Sequence, residues 1–143
     1  MRLALAGDTM LGRGVADALS PDPAALVADA VASEMRECDL CILNLECCIS
    51  TRGRRWPAPN KPFFFRAPPR AIELLAHLGV ACVTLANNHA LDHGEEALLD
   101  TIDHLRAAGI EIPNPQRDLH IRSGVLKVET VPAQDRRAGA GAS

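Results

Sequence analysis

Three apolar runs in this chain each stop at a polar group able to bind a cation or move a proton. Leu3 to Ala6 leads into Gly7-Asp8, the stretch from Asp39 to Leu45 into Glu46, and Val80 to Ala86 into Asn87-Asn88-His89. Carboxylate and amide oxygens suit hard divalent ions, and an added imidazole suits manganese, iron or zinc. Metal ions held this way can clamp the oxygens of a phosphoryl transfer, with a histidine serving the leaving oxygen. Each residue taken singly has a plainer reading. Asp8 fits a helix or loop cap, Glu46 a solvated strand end, and Asn88 a turn former. The chemical reading therefore requires the three apolar runs to lie side by side.

The elements that would achieve this follow from periodicity. Short apolar runs ended by polar groups predict buried strands of a parallel sheet. Between them, Asp22 as N-cap and Pro23 in a first turn predict a helix over 23–36, with Leu26, Val27, Ala30, Val31 and Met35 at helical spacing. Ile72, Leu74, Leu75 and Leu78 predict a second helix closed by Gly79, and Ala97, Leu98, Ile102 and Leu105 a third over 94–108, stopped by Gly109. The predicted fold class is α/β, with a three-strand parallel β-α-β-α-β-α core whose strand ends open on one edge. Thr51 to Pro62, with three arginines and three prolines, predicts a surface loop suited by charge to an anionic ligand. Phe63-Phe64-Phe65 predicts a short extended segment, and residues 113–143 an irregular, partly disordered tail with one edge strand over 125–131.

Gly7-Asp8-Thr9-Met10-Leu11-Gly12-Arg13, Asn44-Leu45-Glu46, Lys61 followed by Phe65 and Pro68, and the run Leu85 to Gly94 resemble, in order and spacing, the motifs of the bacterial capsule-synthesis (CapA, poly-gamma-glutamate) family. The resemblance covers about residues 2 to 112, so residues 1–112 are expected to form the N-terminal part of such a domain. It implies a fold similar to the calcineurin-like metallophosphoesterases. It further implies divalent metal (Mn, Fe, Zn or Mg) on Asp8, Glu46 and Asn88, and catalytic roles for His89 and for Asp92, which would orient His89 or cap the next helix. Arg13, Lys61 and Arg66 would grip a phosphate or carboxylate of an anionic small molecule or polymer. Capsule-synthase components are the implied partners.

Two departures point toward a site that is incomplete. Met10 stands where the phosphoesterases carry a histidine, and a thioether is a poor ligand for hard ions. Nothing after Ile112 looks like the later histidine-bearing motifs, and His120 cannot replace them. The expectation is therefore a fragment, inactive alone, whose uncovered sheet face favours self-association. A non-catalytic accessory or polyanion-binding subunit is the alternative, and a non-functional remnant a third.

Composition narrows the remaining classes. At 143 residues and a net charge of −3, with interleaved signs, the chain suits one domain and carries no electrostatic footprint for nucleic acid. No apolar run approaches the ~20 residues of a membrane span, which predicts a cytoplasmic location for the chain as written, with intact relatives at the cell envelope. The five cysteines lie mostly in apolar stretches and read as core residues in a reducing compartment, with Cys38 and Cys41 not at zinc-knuckle spacing to a second pair. His77 and His104 read as surface or boundary residues, and His93 is open.

Overall fold

The computed structural model describes residues 1–19 and 22–113, so the predicted tail beyond 113, including its edge strand and His120, lies outside the described residues. The chain runs β1 (Leu3–Thr9), α1 (Arg13–Ala18), a 3-10 turn (Pro23–Leu26), α2 (Asp29–Arg36), β2 (Leu40–Leu45), β3 (Cys48–Ile49), β4 (Arg66–Ala67), α3 (Ala71–His77), β5 (Cys82–Thr84) and α4 (Gly94–Ala107). β1, β2 and β5 form a parallel sheet in that order, which is the predicted α/β core. Past α4 the chain returns to the sheet, where Glu111 bridges Cys82 in parallel beside β5. α3 and α4 end as expected, with Gly79 and Gly109 at φ 68° and 72°. Among the described residues no helix is long and apolar enough to cross a membrane.

Two expectations are corrected, and two elements are added. The predicted helix over 23–36 divides, because Val27 (ψ 130°) and Ala28 (ψ 138°) are extended between the 3-10 turn and α2. Asp22 still caps the turn through Ala24 N at 3.0 Å, but the turn packs on α3, and tertiary contact overrides helical spacing. Two elements went unpredicted: α1, too short to show a period, and the two-stranded parallel sheet of β3 and β4. Finally, β1 is not buried. Leu3 and Leu5 are 47% and 72% exposed, since no layer covers that side of the edge strand among the described residues.

The core gathers one face of β2 (Cys41, Leu43, Leu45) with Ile49, Leu75, Val83 and Leu105. α4 is stitched to β3 by Thr101, whose hydroxyl accepts from Ile49 N at 2.8 Å and donates to Ala97 O at 2.6 Å. This buried hydroxyl is satisfied on both sides and holds the middle of α4 against the small sheet.

Candidate functional site

The sheet delivers Asp8 through a register shift. Ala6 pairs with Leu43 but Asp8 pairs with Asn44, so Gly7 is the extra residue of a bulge. Without it Asp8 would stand opposite Leu45 and its side chain would face the other way. As built, Asn44 Nδ2 donates to Asp8 Oδ1 at 2.6 Å. Asn87, just past β5, donates from Nδ2 to Asn44 Oδ1 at 3.0 Å and to Leu45 O at 2.9 Å, and its Oδ1 accepts from His89 N at 2.9 Å. Amide side chains thus link the ends of all three main strands and set the backbone position of His89.

His89 is held from below by Asp92, which is fully buried. Asp92 Oδ2 lies 2.7 Å from His89 Nδ1 and accepts from Phe65 N at 2.6 Å, while Oδ1 is paired with Lys61 Nζ. Lys61 also donates to Asn88 O at 2.5 Å. The Phe65 ring stacks on the imidazole with centroids 4.1 Å apart. Bonding of Nδ1 to a carboxylate places the ring proton there and turns Nε2 outward, 3.6 Å from Glu46 Oε1. An imidazole so fixed can give or take a proton at Nε2, with the buried carboxylate steadying its charged form.

Of the residues singled out from sequence, the structure brings together Glu46, His89, Asp92 and Lys61 by direct contact, and Asp8 through Asn44 and Asn87. Asp92 orients His89; the residue at the N-cap of α4 is His93, whose side chain makes no capping bond. Asn88 meets Lys61 through its backbone carbonyl, and its side chain is exposed. Lys61 is committed to Asp92 and Asn88. Arg66 lies in β4 and donates to Arg52 O at 3.3 Å. Arg13 begins α1 at φ 53°, its guanidinium 5.3 Å from the Phe63 ring centre. Sequence reasoning passed over the linking roles of Asn44 and Asn87 and the stacking role of Phe65. Asn44 and Asn87 did carry a signal, because an amide inside an apolar strand or directly after one must find partners when buried.

His93 is buried, and burial, then the charge of Arg66, pushes its imidazole below the usual value. The cysteines behave as core residues: all five are free, and Cys41, Cys47 and Cys48 are buried. Burial pushes the Cys47 thiol up to about 12 and the Cys48 thiol to about 11, which leaves neither as a thiolate.

The donor set suits a hard divalent ion only in part. Asp8 and Glu46 end adjacent strands, and Asp8, Asn44 and Glu46 share a face of the sheet by register and alternation. Among the described residues, no group of three or more His, Cys, Asp or Glu side chains lies close enough to hold an ion. Part of any coordination shell must therefore come from amide oxygens, water or residues other than these.

Comparison with known proteins agrees with the motif order. A family model described as bacterial capsule synthesis protein PGA_cap matches residues 2–117. Proteins of two Mycobacterium tuberculosis strains, each named a probable polyglutamine synthesis accessory protein, are 38% identical to the chain over 81 residues. The match takes in 57% of the chain and 21% of each relative, so the chain spans only a fraction of their length.

Proposed function

The chain belongs to the bacterial capsule synthesis family, and from that premise we propose that it serves poly-gamma-glutamate capsule synthesis through a phosphoesterase-like site that is partial in this chain. The observation that carries the proposal is the clamp on His89. Its Nδ1 is fixed by buried Asp92, its face by Phe65, and its Nε2 is presented beside Glu46 at the edge where the strands end. In this reading the imidazolium of His89, its charge held by Asp92, gives its Nε2 proton to the leaving oxygen of an ester as water attacks the phosphorus, which leaves His89 neutral with its proton on Nδ1, and Lys61 balances Asp92. Asp8, Glu46 and Asn88 would hold a divalent ion (Mn, Fe, Zn or Mg), which when bound would act as a Lewis acid on the ester oxygens. The partners are synthase components and an anionic substrate, with self-association through the bare side of β1. The location is the cytoplasm, or the cell envelope in longer relatives.

Calorimetric titration with manganese tests the metal assignment by comparing the chain with an Asp8→Ala, Asn88→Ala double variant. Heat that disappears in the variant supports it, and equal heats remove it.

A second reading, a non-catalytic accessory subunit, is favoured by Met10. Its sulfur accepts from Gly12 N at 3.0 Å and so is folded onto its own loop, at the position where the phosphoesterase resemblance calls for a metal-binding histidine. The relatives' name of accessory protein agrees with it. Phosphatase assays with several metals on a full-length relative separate the two readings, since a complete but inactive site supports the accessory role.

A further inference from the structure

Residues 51–66, between β3 and the start of β4, hold five basic side chains and no acid, so the stretch carries +5 in a chain whose net charge is −3, and the remainder carries −8. All four aromatic residues of the chain, Trp56 and Phe63 to Phe65, lie in the same stretch. Part of the charge is used within the fold, since Lys61 pairs with Asp92 and Arg52 with Asp100. Arg54 and Arg55 are exposed and form no ion pair with a carboxylate among the described residues. The aromatic residues divide in the same way. Phe65 stacks on His89, and Phe64 has the cationic groups of Arg55 and Lys61 at 5.3 Å and 5.6 Å from its ring centre, whereas Trp56 and Phe63 are exposed. The backbone that carries them is held all the same. Trp56 N donates to Asp92 O at 2.9 Å, and Phe65 N, two residues past Phe63, donates to Asp92 Oδ2 at 2.6 Å. Leu91, the neighbour of Asp92, is exposed as well. Three bare apolar side chains are thus tied near one buried residue, with two unpaired arginines directly before the first of them.

We infer that this loop docks on a bilayer rich in anionic phospholipid, with Trp56, Phe63 and Leu91 entering the headgroup layer and Arg54 and Arg55 bonding to lipid phosphates. An indole suits that layer because its ring is apolar and its N–H polar, and an arginine beside it can lay its stem on apolar groups while its head stays among phosphates. A soluble anion would engage the arginines and leave the apolar side chains in water. A nucleic-acid strand would stack on ring faces, and Leu91 offers none. The uneven charge sets the pose, since an anionic surface attracts the +5 stretch and repels the remainder. A backbone already fixed at Asp92 lowers the entropic cost of docking. Two arginines and three apolar side chains give a weak, reversible and salt-sensitive attachment. Lys61 and Phe65 join the loop to Asp92 and His89, so docking sets the His89 site at the lipid surface. The inference goes beyond the capsule-synthesis reading and uses neither a metal nor the chemistry of His89. Its test is run in chelator, so its failure and that of the metal site are distinct.

Trp56 is the only tryptophan of the chain, so its emission reports on this loop alone. The experiment titrates the full chain with vesicles of phosphatidylglycerol and phosphatidylcholine in equal parts, and with phosphatidylcholine alone, at low and high salt. Mixed vesicles are expected to shift the emission to the blue, acyl-chain bromination to quench it, and high salt to reverse both. Phosphatidylcholine alone is expected to bind at least tenfold more weakly. In vesicle sedimentation the Arg54→Gln, Arg55→Gln variant is expected to bind mixed vesicles roughly tenfold more weakly, with a flatter salt dependence. Phe63→Ser is expected to bind several-fold more weakly with the salt dependence kept, and Arg106→Gln, exposed on α4, to bind as the parent does. Arg55→Gln alone alters one exposed side chain and serves if the double variant loses its thermal transition; it too is expected to weaken binding several-fold. The inference is overturned if the parent does not bind mixed vesicles, if it binds phosphatidylcholine equally, or if the folded arginine variants bind undiminished. Vesicle binding that leaves the Trp56 emission unchanged also overturns it. So does the same blue shift with glycerol phosphate, poly-L-glutamate or a single-stranded oligonucleotide in place of vesicles, which would give the loop to a soluble anion.

Discussion

A buried carboxylate is costly unless its oxygens are partnered, and Asp92 meets that condition with an ammonium, an imidazole and a backbone N–H. Asp92→Asn is expected to cost roughly 3 kcal/mol, because it leaves Lys61 beside a neutral amide. Urea unfolding measures this, and a loss below 1 kcal/mol would show that the ion pair is not held in the folded chain. The same substitution removes the group that keeps the ring proton of His89 on Nδ1, so nitrogen NMR should show the Nδ1–H tautomer in the parent and a mixture in the variant. The thiols offer an independent check on packing. At pH 8 iodoacetamide is expected to label half-buried Cys38 well before Cys47 and Cys48, whose thiols are pushed up to about 12 and about 11. Equal labelling rates in the native chain would contradict the buried placement.

Among the elements, the long loop between β3 and β4 has almost no regular structure and is instead tied down at named points. Trp56 N donates to Asp92 O at 2.9 Å, and Ser50 Oγ donates to Asp100 Oδ2 at 2.6 Å. Arg52 forks onto the same Asp100. These bonds, from Arg52 first and Ser50 next, hold the Asp100 carboxyl at about 2, below its ordinary 3.8. A depressed acid pKa stabilises the fold fully above 3.8, and the benefit fades as pH falls toward about 2. Asp100→Asn should therefore melt below the parent at pH 6, and the gap should close between about pH 4 and pH 2; a gap constant across that range would refute the tether. Gly53 is the loop's tightest point, at φ 82°, with His93 O only 2.1 Å from where a Cβ would sit. Gly53→Ala is expected to cost roughly 2–4 kcal/mol through strain and backbone collision, read by thermal or urea unfolding.

For the molecule as a whole, the open question of surface lies at β1. Leu5 stands 72% exposed on a strand that, among the described residues, pairs only with β2. Leu5→Lys is expected to change unfolding free energy by no more than about 0.5 kcal/mol, as at other exposed positions. The parent is expected to associate with rising concentration in sedimentation, and the variant is not. A parent chain that sediments as a monomer at all concentrations would remove the self-association reading. Much of this architecture was legible in the order of residues. Apolar runs ending at Asp8, Glu46 and Asn88 gave a parallel sheet with its strand ends together, and glycines 79 and 109 marked helix ends, because those signals depend only on local spacing and backbone freedom. The capsule-synthesis family was legible too, since its motifs are contiguous strings. What contact alone settled is of another kind. The bulge at Gly7 that turns Asp8 toward Asn44, the break at Val27 and Ala28, the capture of Lys61 by Asp92 and the stacking of Phe65 on His89 all depend on residues distant in the chain. No local pattern encodes which partner a buried charge will find, because that choice is made by packing and desolvation once the chain has closed on itself.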